Sequence, residues 1–181
     1  MDIYKLKFTS LQQEILRFLF IKSGMSFNAR AISKSLKVSP TAIGKSLQAL
    51  QEDGLVKVTK DKESKHLSIE LNRDNRQVFI MKRVDNLKMI YESNLADFLY
   101  NTFPGTTIVL FGSYSYGEDI IKSDVDIAII GSNNKEIDLT NFEKILERKI
   151  SINFYKDFNG INNTLKENIC NGIVLSGGIQ L

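Results

Sequence analysis

The chain has 181 residues, 43% apolar and 25% charged, a length and balance that suit one large globular domain or two small ones. A single cysteine, Cys170, and a single histidine, His66, exclude an intrachain disulfide framework and a zinc cluster, and no apolar run reaches the ~20 residues that span a bilayer; the expectation is a cytoplasmic protein without a membrane partner. The net charge of +3 conceals an asymmetry, 15 Lys/Arg against 8 Asp/Glu in residues 1–82 and 9 against 13 in residues 83–181, so the basic excess that would attract a polyanion is N-terminal.

Residues 10–22 open with Ser10 as a candidate N-cap and space Leu11, Ile15, Phe18, Leu19 and Lys22 at helical intervals before Gly24. A second helix is predicted after Ser26, with Ala29, Ile32 and Leu36 on one face. The short connection KVSP leads to a third, Thr41–Glu52, with Ile43, Leu47 and Leu50 inward. Leu55–Lys60 and Leu67–Leu71 alternate apolar and polar on either side of DKESKH, the pattern of a hairpin.

Two helices on a tight turn followed by a hairpin describe a helix-turn-helix with a wing. The third helix leaves Ser39, Thr41, Lys45, Ser46 and Gln48 outside, short polar and cationic groups suited to phosphates and base edges, and Lys60, Lys62 and Lys65 charge the wing. Double-stranded DNA is the partner this chemistry fits, with Ser39, Thr41, Lys45, Gln48 and Lys62 as the contacts. A polar helix face can also be merely solvated, and tri-helical folds with a hairpin also serve protein interaction. Over residues 8–72, and most specifically in RAISKSLKVSPTAIGKSLQALQEDGLV, the chain resembles bacterial and archaeal winged-helix regulators.

From Asp74 to Phe103 the pattern is helical, with Ile80, Val84, Leu87, Tyr91, Leu95 and Phe98 along one stripe and Ser93 placed to cap a break. Such a stripe packs internally between adjoining domains or forms a homodimer seam, which would suit two-fold DNA sites. Pro104–Gly105 ends the helices.

Thr106–Phe111 reads as a strand running into Gly112–Ser113; ten residues later come Asp124–Val125–Asp126 and the apolar run Ile127–Ile130. Glycine permits close backbone approach, and Ser113 with the amides after it can hold phosphate oxygens. Residues two apart on a strand point to one side, so Asp124 and Asp126 present two carboxylates to a common point, an arrangement that repels itself unless a divalent cation intervenes. Taken alone, D-x-D is equally a solvated or capping pair. Glu118, Asp119 and Lys122 lie inside the motif gap, where they could touch substrate, but read rather as a charged loop surface. Leu139–Arg148 reads as an amphipathic helix, residues 149–155 as a strand and Ile161–Ile169 as a last helix, with Asn171–Gly172 and Gly177–Gly178 as turn signals.

Strand, Gly-Ser, fixed gap and D-x-D together resemble the nucleotidyltransferase signature of the DNA polymerase β superfamily, closest to minimal nucleotidyltransferases and to an archaeal group that joins a winged helix to such a domain. The resemblance implies an α+β chain of two domains: a winged helix-turn-helix at 1–73, connecting helices at 74–104, and at 105–181 a nucleotidyltransferase fold with a mixed sheet flanked by helices. It further implies that Gly112 and Ser113 bind a nucleoside triphosphate, and that Asp124 and Asp126 are the catalytic, metal-binding carboxylates for Mg²⁺ or Mn²⁺. The family's third carboxylate would fall on residues 149–155, which offer Ser151 and Asn153; Asp157 just beyond could substitute through a bend. Tyr116 stands where minimal members carry arginine. The functional expectation is a DNA-binding transcriptional regulator whose second domain binds Mg-NTP with weak or absent nucleotidyl transfer. The alternatives are an active transferase of nucleoside monophosphate to a protein or small-molecule hydroxyl, and an antitoxin-like partner of a toxin.

Overall fold

A computed structural model describes residues 7–60 and 67–179. The chain divides into two compact units, Met1–Val78 and Phe79–Leu181. The division falls within the segment read from sequence as connecting helices.

The first unit contains α1 (Ser10–Ile21), β1 (Ser26–Phe27), α2 (Ala29–Leu36), α3 (Pro40–Glu52), β2 (Val56–Lys60) and β3 (Leu67–Leu71). Thr9, not Ser10, caps α1: its hydroxyl accepts from the Gln12 amide while Gln12 Oε1 accepts the Thr9 amide at 2.8 Å, a reciprocal capping box that leaves Ser10 as the first helical residue. Asn28 caps α2, and Ser39 caps α3 with Pro40 at the first helical position, where its missing N–H leaves no bond unmade. Ile43, Leu47 and Leu50 of α3 are buried together with Ile15 and Leu19 of α1 and Ile32 of α2. β2 and β3 form the antiparallel hairpin, and β1 adds to the other edge of β3. β1 is too short for alternation to reveal it in sequence; Phe27 is anchored edge-on against Phe18, ring centroids 4.9 Å apart. The architecture is a winged helix-turn-helix. The expected wing residues Lys62 and Lys65 lie outside the described residues.

After α4 (Arg76–Glu92), which runs through the division, come α5 (Leu95–Thr102), β4 (Thr107–Phe111), α6 (Gly112–Tyr116), β5 (Val125–Ile130), α7 (Thr140–Leu146), β6 (Ile150–Tyr155), α8 (Asn163–Cys170) and β7 (Ile173–Ser176). The sheet order is β6-β5-β4-β7; β5 pairs with β6 in parallel and the other pairs are antiparallel, so the sheet is mixed. Ile108, Leu110, Val125, Ile127 and Ile129 pack with Met89, Ile90, Leu95 and Leu99 on one face, and Val109, Phe111 and Ala128 pack with Ile161 and Ile169 on the other. Helices thus cover both faces. β7 occupies a stretch whose sequence showed only turn signals at its ends; backbone pairing with β4 accounts for it.

Two expectations for α4 and α5 are corrected. Of the expected stripe Leu95 is buried and Phe98 packs against the core, but along α4 Ile80, Val84 and Tyr91 are exposed whereas Val78, Lys82, Asn86, Met89 and Ile90 are buried, so there helical periodicity located a stripe but not the side that faces the core. Ser93 does not cap the break: its hydroxyl donates back to the Ile90 carbonyl at 3.1 Å, and the chain turns at Asn94 in the left-handed region, φ 62°.

Because Leu50 and Leu99 are each fully buried in a different unit, Leu50→Ala and Leu99→Ala should each cost ~2–5 kcal/mol. Denaturant titration followed by amide-resolved hydrogen exchange should find the loss confined to the unit carrying the substitution; equal loss of protection in both units would count against separate cores.

Candidate functional site

The antiparallel ladder places Phe111 opposite Asp126, which sets the Asp126 carboxylate beside the start of α6. There Gly112 adopts φ +70°, and a Cβ at that position would lie 2.6 Å from Asp126 Oδ2. Only glycine both tolerates this conformation and leaves the carboxylate its place. Asp126 is partly buried, and burial first, then the charge of Asp124, holds its carboxyl above the usual carboxylate range. Asp124 is exposed and directly precedes β5. Neither carboxylate is hydrogen-bonded or ion-paired to a described residue. Two oxygen donors, mutually repulsive, with no hydrogen bond or ion pair to a described side chain beyond the longer-range attraction of Lys149 for Asp124, and with Asp126 set where a Cβ on Gly112 would displace it, fit a hard divalent cation such as Mg²⁺ or Mn²⁺. When bound, such an ion would neutralise the pair and polarise a phosphate oxygen.

Across the parallel ladder Ser151 lies opposite Asp126, and Asn153 opposite Ala128. Being two residues apart, both stand on the Asp126 face of the sheet. Among the described residues no group of three or more His, Cys, Asp or Glu could hold a metal ion. Asp157 does not substitute: it follows Tyr155, which pairs with Ile130 at the far end of β5, roughly 13 Å along the strand from Asp126 at the usual rise per residue. Its Oδ1 instead accepts the Gly160 amide at 2.8 Å.

Ser113 is the second residue of α6, and its carbonyl accepts the Glu118 amide at 2.9 Å, closing the turn after that helix. Tyr116 precedes Gly117, which packs against the α4 backbone at φ +76°.

One group of site residues escaped the sequence reading. Asp119, expected on a charged loop surface, is 1% exposed and ion-paired with Lys82 and Arg148, themselves 1% and 5% exposed. Asn86 adds a 2.8 Å hydrogen bond to the same carboxylate. The available signal was Lys82 and Asn86 four residues apart on one helix, a polar pair that reads as solvent-facing until the packing is known.

On the first unit, Thr41, Lys45 and Gln48 are exposed on α3, with Gln48 Nε2 donating to Glu52 at 3.0 Å. Ser39 spends its hydroxyl oxygen on the Ala42 amide, which makes it a cap before it is a contact. Gly44 stands among them with no atom within 4 Å of where its Cβ would lie.

The position of Asp126 carries a pH signature. A carboxyl raised in the folded state keeps its proton longer than in the unfolded chain, so the metal-free protein loses stability as pH rises through the ordinary carboxylate range and beyond it to the raised value. Asp126→Asn should therefore raise the melting temperature of the metal-free protein at pH 7, with the gain vanishing below about pH 4; calorimetry across pH checks it.

The family model described as Polymerase beta, Nucleotidyltransferase matches residues 93–178. No curated protein matches the chain. Solved structures similar to it include ZitR of Lactococcus lactis, a zinc-responsive MarR family member, at 25% identity and TM-score 0.38 over 56% of this chain and 67% of that one. A cysteine-to-serine mutant of Lactococcus lactis ZitR in complex with DNA gives 25% identity and TM-score 0.39 over 58% and 68%. The match at residues 93–178, with the mixed sheet and the Gly112–Asp126 recess inside it, makes the C-terminal part of the chain a domain of the nucleotidyltransferase fold.

Proposed function

We propose that the protein is a DNA-binding regulator whose nucleotidyltransferase-fold domain binds a nucleoside triphosphate with Mg²⁺ or Mn²⁺ and transfers nucleotide slowly or not at all. The observation that carries this reading is the carboxylate pair Asp124 and Asp126 beside Gly112, with Ser151 and Asn153 rather than an acid on the neighbouring strand. In this reading Gly112 and Ser113 hold phosphate oxygens and the two carboxylates hold the cation. Two carboxylates suffice for one ion, whereas in-line displacement with two ions needs further ligands to activate the attacking oxygen and stabilise the leaving one. The intact Gly-Ser and D-x-D elements favour a second reading, transfer to a protein or small-molecule hydroxyl.

Calorimetry with a nonhydrolysable triphosphate should give metal-dependent binding in the wild type that Asp124→Asn and Asp126→Asn each abolish. Incubation with labelled nucleoside triphosphates and candidate hydroxyl acceptors should give little product. Ser151→Asp, directly opposite Asp126, should raise turnover more than Asn153→Asp. Rapid wild-type turnover would favour the transferase, and absence of binding under every metal condition would end both readings.

For the DNA-facing side, the exposed Thr41, Lys45 and Gln48 on α3 support recognition of a duplex, and the open space at Gly44 leaves room for a backbone or base edge. Lys45→Glu should weaken binding to genomic fragments in gel-shift titrations, and wild-type binding should fall steeply with salt as phosphate contacts release counterions. Gly44→Ala separates contact from folding: it should stabilise the helix by up to ~1 kcal/mol while weakening DNA binding. Unchanged affinity in both variants would place the binding surface elsewhere.

A further inference from the structure

The segment between α6 and β5 is tied down at Gly117, at Asp119 and at the Ile120–Ser123 turn. Gly117 lies so close to α4 that a Cβ there would meet the Phe79 carbonyl at 2.3 Å and the Arg83 amide at 2.6 Å. Two residues on, Asp119 is buried: Oδ1 accepts from Lys82 Nζ and from Asn86 Nδ2, the latter at 2.8 Å, and Oδ2 accepts from Arg148 Nη2 at 3.1 Å. Lys82 Nζ also donates to the Asp119 carbonyl at 2.9 Å, and Asn86 Nδ2 to the Tyr114 carbonyl in α6 at 2.8 Å. Ile120 and Ser123 then close a turn, the Ser123 amide donating to the Ile120 carbonyl at 2.9 Å and the Ile120 amide to Ser123 Oγ at 3.0 Å. Next comes Asp124, and then Val125, whose amide donates at 2.8 Å to the carbonyl of Lys149, the neighbour of Arg148.

We propose that Lys82, Asn86, Asp119 and Arg148 are positioning residues for the carboxylate pair, fixing Asp124 where it shares a cation with Asp126. This rests on reading the pair as a cation site. Asp126 is held by strand pairing on both sides, but Asp124 precedes β5 and is exposed. Asp126 repels Asp124, whose side chain has no hydrogen bond among the described residues and only the longer-range attraction of Lys149, so its place depends on its backbone. The buried cluster holds the loop five residues earlier, at Asp119, through Lys82 and Asn86 of α4 and through Arg148 just before β6, and Asn86 ties the same α4 to the Tyr114 carbonyl of α6; from Asp119 the Ile120–Ser123 turn carries the chain to Asp124. A cluster serving stability alone could be replaced by apolar side chains without loss. This one is placed on the loop that delivers Asp124.

The test uses the full chain and two readouts: amide hydrogen exchange at Ser123 and Val125 without metal, and Mn²⁺ affinity by electron paramagnetic resonance. Lys82→Met and Arg148→Met should speed exchange at both amides and weaken Mn²⁺ by ~10-fold or more, the size of effect seen when residues orienting a metal's ligands are removed. Arg148→Lys, which keeps the charge, should restore part of both. Asn86→Ala, which leaves every charge in place, serves where a charge variant fails to fold and should move both readouts the same way. Leu99→Ala, in the core of the same unit and making none of the loop's side-chain hydrogen bonds, should lower stability without changing Mn²⁺ affinity. Folded cluster variants with wild-type exchange and wild-type Mn²⁺ affinity would overturn the proposal. A wild type that binds no Mn²⁺ would overturn the cation reading instead, and the exchange data would still decide whether the cluster holds the loop.

Discussion

The C-terminal unit depends on a single carboxylate withdrawn from water. Asp119 meets two buried cations and an amide, and the three partners come from α4 and from the residues leading into β6. Burying an ion costs several kcal/mol, and its partners offset that only when the geometry is filled, so such a cluster adds little net stability when whole. Broken at one partner it costs about 3–5 kcal/mol, because a charge is left stranded. That asymmetry favours one arrangement of the loop over near alternatives. The apolar core around Leu99 and Ile127 holds the sheet to its helices; the Asp119 cluster selects the path of the chain from α6 to β5.

The opposite situation prevails a few residues later. Asp124 and Asp126 make no hydrogen bond or ion pair among the described residues, Asp124 feeling only the longer-range attraction of Lys149, and Asp126 is partly buried against a glycine. Asp119 is compensated by two buried cations, whereas Asp126 meets burial and a second negative charge. A fold that compensates a buried acid this thoroughly at Asp119, yet leaves Asp124 and Asp126 without a hydrogen-bonded or ion-paired partner among the described residues, has the electrostatic form of a site completed from outside the chain. Nearest Asp126 on the same face, the neighbouring strand supplies Ser151 and Asn153, neutral oxygens and an amide that can orient a ligand but add no charge.

The first unit works by different means. Its core is built on Ile15, Ile32, Ile43, Leu50 and Ile69 with no buried ion pair among the described residues, Thr9, Asn28 and Ser39 are spent as helix caps, and Thr41, Lys45 and Gln48 are left on the outer face of α3. Gly44 in the middle of that helix is a local cost in helix propensity that no packing contact explains. Its position beside Thr41, Lys45 and Gln48 sets the exposed groups around a shallow gap.

The sequence by itself determined the order of the long elements, the helix-turn-helix with its hairpin, and the Gly112–Ser113 and Asp124–Asp126 motif, because apolar periodicity, turn residues and i, i+2 spacing are local properties of the chain. Tertiary structure decided the rest. It made strands of Ser26–Phe27 and Ile173–Ser176, which acquire their identity only from the partners β3 and β4. It carried Asp157 to the wrong end of β6, since strand direction is invisible before pairing. It also turned Ile80, Val84 and Tyr91 of α4 outward and Lys82 and Asn86 inward, against the apolar pattern. A lysine reads as surface from its charge alone; it is buried here because a carboxylate distant in sequence arrives at the same point, and only the fold brings the two together.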